Sequence, residues 1–80
     1  MEYRTSDTSL ASYLITQGYL PTSIDYGQPR YEFVFPDANG IKEKAALYIS
    51  GNARVDPATY TRVSRKANRV LRTRVQWEDD

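Results

Sequence analysis

Tyr31-Glu32-Phe33-Val34-Phe35 places an aromatic ring at every second position. Alternation of period two belongs to a strand with one buried face, and here that face carries Tyr31, Phe33 and Phe35. The preceding run Ser23-Ile24-Asp25-Tyr26 reads as a second strand, with turn residues Gly27-Gln28-Pro29-Arg30 between the two. The pair predicts an antiparallel hairpin. Such a hairpin is marginal in water by itself, so helices must cover its aromatic face.

Before the hairpin, Thr5-Ser6-Asp7 offers N-cap residues ahead of an apolar pattern at Leu10, Ala11, Leu14 and Ile15. Gly18 follows as a C′ glycine, with Tyr19 set to contact Leu14, so a first helix is predicted over 7–17. Met1 to Arg4 is short enough for a small edge strand, which periodicity does not settle. After the hairpin, Pro36-Asp37-Ala38-Asn39-Gly40 reads as a loop with capping residues. A second helix over 40–50 would turn Ile41, Ala45, Tyr48 and Ile49 to one face and stop at Gly51. Asp56-Pro57 then opens a third helix running to about Val75, with Asp56 as N-cap and proline where its missing N–H costs nothing.

The order (β)-α-β-β-α-α predicts an α+β domain: a hairpin, extended to three strands if residues 2–5 pair, packed against three helices. An all-helical fold is the alternative. The predicted core is Leu10, Leu14, Ile24, Phe33, Phe35, Ile41, Ala45, Tyr48, Val63, Val70 and Leu71. Residues 1–77 form one small domain and residues 78–80 an acidic tail. At 80 residues the chain buries about 60–65% of its unfolded surface. With no cysteine, neither a disulfide nor a thiolate metal site staples it, and stability must come from packing.

Charge is distributed unevenly behind a net value of +1. Residues 45–75 carry Arg54, Arg62, Arg65, Lys66, Arg69, Arg72 and Arg74 against Asp56 alone, and Glu78-Asp79-Asp80 follow directly. On the third helix Arg62, Arg65, Lys66, Arg69 and Arg72 fall within about 120° of one another, with Tyr60, Val63, Ala67, Val70 and Leu71 opposite. No acidic residue stands three or four positions from these cations to pair them. The stripe is either a solvated face or a surface for an anionic partner, and its arginines suit bidentate phosphate contact. Asn68 at its edge is either exposed to solvent or within reach of a base.

Three segments together carry a family likeness: Tyr3-x-Thr5-Ser6-Asp7-x-x-Leu10-Ala11-x-x-Leu14-x-x-x-Gly18-Tyr19, Tyr31-x-Phe33-x-Phe35-x-Asp37 and Ala53-Arg54-Val55-Asp56-Pro57-x-x-Tyr60. Over about residues 2–72 the chain resembles a family of short bacterial and phage proteins known only as a domain of unknown function. The resemblance implies a small soluble protein often encoded on mobile elements. It implies no functional residues.

Catalysis has few parts to work with. Histidine and cysteine are absent, and no Gly-x-Ser-x-Gly, P-loop or dinucleotide fingerprint occurs. Asp7, Asp37 and Asp56 each stand where a helix needs a cap, which explains them without acid–base chemistry. No cofactor and no metal are expected. No apolar run approaches the about 18 residues of a membrane span, and no signal peptide is visible, so a cytoplasmic location is expected (the host cytoplasm if phage-encoded).

The expected function is a non-enzymatic, nucleic-acid-associated module gripping phosphates with Arg62, Arg65, Lys66, Arg69 and Arg72. The rival is a protein-interaction module of phage or mobile-element origin, acting on a host or phage protein. Its surface would be the uncharged face of the first helix, Thr8, Ser9, Ser12 and Thr16 with an exposed Tyr13. The same face leaves homo-oligomerisation open. The acidic tail has two readings, a frayed terminus or a flap that folds back at Trp77 to shield the basic stripe.

Overall fold

The computed structural model describes residues 1–27 and 29–80. Their elements run β1 (Glu2–Thr5), α1 (Thr8–Thr16), β2 (Ser23–Asp25), β3 (Glu32–Pro36), α2 (Ile41–Ile49) and α3 (Pro57–Thr73), followed by a single 3-10 turn at Trp77–Asp79. The fold is α+β in the expected order, and residues 2–5 do form a third strand. The turn expected at 27–30 includes Gln28, which lies outside the described residues.

Strand order β1-β3-β2, antiparallel throughout, puts the aromatic strand in the centre. Tyr3 pairs with Phe35, while Thr5 and Ile24 both pair with Phe33, so the alternation sends these side chains to one face. Phe33 and Phe35 are completely buried there. Val34, pointing the other way, is buried as well. Its cover is Arg4. From β1 the Arg4 guanidinium donates to Asp25 on β2 at 3.2 Å, so its side chain must cross β3 to get there. It also meets Glu2 and Glu32, each at 3.2 Å.

Helix α1 is the hub of the molecule. Asp7 caps it, accepting from the backbone N–H groups of Ser9 (3.0 Å) and Leu10 (3.2 Å). At its end the Gly18 N–H bonds to Ile15 O and the Tyr19 N–H to Leu14 O, the Schellman pattern, with Gly18 at φ 97°. All six residues from Leu10 to Ile15 are buried, because α1 packs against α3, α2 and β1 at once. A helix enclosed in this way has no room for charge.

Helix α2 departs from expectation at two points. Its N-cap is Gly40, at φ 85° with no side-chain cap, and Asp37 stands exposed instead of capping. A side chain at position 40 would begin 2.9 Å from the Tyr19 hydroxyl, which itself donates to Asn39 O. Ile49, expected on one face with Ile41, Ala45 and Tyr48, is 72% exposed. Ile41, Ala45 and Tyr48 define the packed stripe, with the Tyr48 ring stacked on Tyr13 at 5.8 Å, and Ile49 lies past its edge. Of the expected core residues, Tyr48, Val63 and Leu71 sit half-buried at the rim of the hydrophobic cluster.

Candidate nucleic-acid interface

The basic stripe is built by helix α3, and α3 is held in place from both ends. The Asp56 carboxylate accepts from the Thr59 N–H and hydroxyl, each at 2.9 Å. The backbone bond to Thr59 is the main cause that holds this carboxyl below its usual range. On the inner side Ala67 and Val70 are completely buried, and the Tyr60 hydroxyl donates to Ser9 O of α1 at 3.2 Å. Packing this face fixes which residues are left outside. Arg62, Arg65, Arg69 and Arg72 are exposed on the other side, and Lys66 is half-buried among them. Asn68 is exposed and donates to Ser64 O on its own helix at 3.0 Å.

Beyond α3 the chain reverses. Arg74 takes the left-handed conformation (φ 56°), and the N–H groups of Arg74 and Val75 bond back to Leu71 O and Val70 O. The reversal brings residues 76–80 alongside the basic face. Lys66 Nζ stands 4.3 Å from the Trp77 ring centroid, a cation–π contact. The Asp80 carboxylate meets Arg69 through both oxygens, Nε at 2.7 Å and Nη2. Asp80 is thereby held below the usual carboxylate range, and Arg69 is raised. Of the two readings of the acidic tail, the fold-back is the one adopted.

The fold-back walls a groove of about 730 Å³ on the flank of α3. Its apolar lining comes from Pro57, Ala58, Val63 and Trp77. Arg62, Arg65, Lys66 and Arg69 supply the cations, while Arg72 lies outside it. The sequence offers Trp77 as the pivot of a fold-back, but it does not place the reversal itself, because position 74 carries arginine where a glycine would mark it.

The face proposed for a protein partner is largely covered. Ser12 and Tyr13 are buried, at 0% and 2% exposure. Ser12 donates to Thr8 O at 2.8 Å, and Thr16 donates to Tyr13 O at 2.6 Å. Thr8 shares a hydrogen bond of 2.6 Å with the Tyr31 hydroxyl, which leaves Ser9 as the exposed member of the set. Helices α2 and α3 pack against this uncharged segment, and the hydroxyls of Ser12 and Thr16 are turned back onto their own helix.

Compared with family models, curated proteins and solved structures, the chain matches none of them. No helix among the described residues is long and apolar enough to cross a membrane.

Proposed function

We propose that this protein is a non-enzymatic binding module that holds nucleic-acid phosphates on the outer face of α3, through Arg62, Arg65, Lys66, Arg69 and Arg72. One observation supports the reading above the others. Five cations share a packed helix's outer face, and among the described residues the only carboxylate paired with any of them is that of Asp80, at Arg69. Like charges three and four residues apart repel by a few tenths of a kcal/mol per pair, a cost that an incoming phosphate backbone removes. Four of the five are arginines, whose planar fork accepts two phosphate oxygens at once. The absence of histidine and cysteine from the chain supports binding over catalysis.

The test is a gel-shift titration with DNA and RNA at two salt concentrations. About five phosphate contacts give a slope of log affinity against log salt near −4. Arg65→Glu, an exposed position away from the core, should weaken binding and flatten that slope. No binding at low salt ends this reading.

A further inference from the structure

The groove on α3 differs from a plain cationic stripe in having an aromatic wall. Trp77 is half-buried, contributes to the lining and is held in place by Lys66 at 4.3 Å. Between Arg62 and Arg69 the helix rises by about 10 Å, so Trp77 stands beside a short row of cations rather than at the end of one. At one end of that row, Arg69 already holds an oxyanion. Asp80 takes the Nε–Nη2 edge of the guanidinium, the same edge a phosphate takes in bidentate contact. The arrangement therefore sets an aromatic ring and an oxyanion seat along one cavity; the Lys66 ammonium lies over one face of that ring, and a base stacking there displaces it.

A duplex fits this surface poorly. The major groove is about 12 Å wide and admits a bare α-helix, itself about 10–12 Å across with its side chains. Here Trp77 lies against Lys66 and Asp80 against Arg69, which thickens that face of the helix. A single strand has no such constraint, and its bases are free to leave the stack and meet an aromatic ring.

We propose that the groove between Trp77 and α3 is a single-stranded nucleic-acid site, in which a base stacks on Trp77 and neighbouring phosphates lie on Arg62, Arg65 and Arg69. This rests on the phosphate reading and narrows it to unpaired strands. Trp77 is the chain's one tryptophan, so its emission reports the site alone.

The experiment titrates the full chain at low salt with three probes of equal charge: a short oligothymidylate, an abasic strand of the same length and a duplex. Fluorescence anisotropy and Trp77 emission are read together. The oligothymidylate is expected to quench Trp77 and to bind about five- to a hundredfold tighter than the abasic strand, the range that stacking of one base supplies. Trp77→Ala should bring the two single strands to equal affinity, and the abasic probe makes the same comparison without altering the protein. If all three probes bind alike with Trp77 emission unchanged, the single-strand site is overturned while the phosphate reading stands. If none binds, both fall.

Discussion

The hydroxyl of Tyr26 lies 3.1 Å from Val70 O and 2.7 Å from Val75 O, where the end of α3 gives way to the reversing chain. It thereby ties the residue after β2 to the point where the fold-back begins. Tyr26→Phe removes that donor and should lower stability by about 1 kcal/mol, measured by urea unfolding. The same substitution has a pH signature. Burial pushes the Tyr26 phenol above its ordinary value. A group raised in the folded state contributes stability that is full below the unfolded pKa and is lost as pH rises through the folded one. Stability should therefore decline as pH climbs past about 10, and Tyr26→Phe should remove that part of the decline. Unfolding midpoints compared at about pH 8 and about pH 11 check it. Beside it, Arg74 pays for a left-handed backbone while its guanidinium stacks 4.7 Å from the Tyr26 ring. Arg74→Ala keeps the strain and loses the stacking, whereas Arg74→Gly relieves the strain. The glycine variant should melt higher than the alanine variant, by a difference of about 1 kcal/mol.

Among the elements, β2 shows how a short edge strand is protected. It pairs with β3 on one side, and on the other the Gln76 amide stands in for a strand. Ile24 N–H donates to Gln76 Oε1 at 2.6 Å, and Gln76 Nε2 donates to Ile24 O at 3.0 Å. Gln76→Ala leaves both backbone groups of a buried residue without that partner, at a cost of about 1–3 kcal/mol. Hydrogen exchange should show lost protection at the Ile24 amide, and an unchanged rate there would sink the assignment. Gln76→Glu keeps the acceptor but sets a carboxylate against Ile24 O, so it should fare no better. These contacts also mark what sequence reading reaches. Alternation in 31–35, the Asp7 and Asp56 caps and the Gly18 stop are local signals, and each element they imply is present. The burial of Tyr13 and Ser12 was not legible, since it follows from α2 and α3 closing over α1 from both sides. The reversal at Arg74 was hidden because the left-handed position carries arginine rather than glycine. The cationic members of the site were legible from helical period alone; Trp77 and Asp80 join them only through that reversal.

At the scale of the whole molecule, seven cations within residues 45–75 are followed by the three carboxylates of Glu78–Asp80, and one of those carboxylates is paired with Arg69 at the groove. On the proposed phosphate reading, Asp80 and a ligand phosphate would compete for the same edge of Arg69. The Asp80 carboxyl lies below the ordinary range because of Arg69, so its contribution is present above the unfolded carboxylate pKa and is lost as pH falls through the folded one. Closure should thus persist at neutral pH and open only in acid below about pH 4. Ionic strength is the lever that acts under ordinary conditions, since exposed pairs are screened within about 10 Å at 0.1 M salt. In the native chain a phosphate arriving at Arg69 would displace a carboxylate that must then gather a cation of its own. Asp80→Asn removes that exchange. Its salt slope should steepen by about 1, the value of one added phosphate contact. Affinity for a single strand should rise at low salt and converge with the native value at high salt, and deletion of 78–80 should do the same more strongly. Equal slopes for the native and Asp80→Asn chains would mean that Asp80 leaves Arg69 free for phosphate, and that the fold-back braces Trp77 without gating the site.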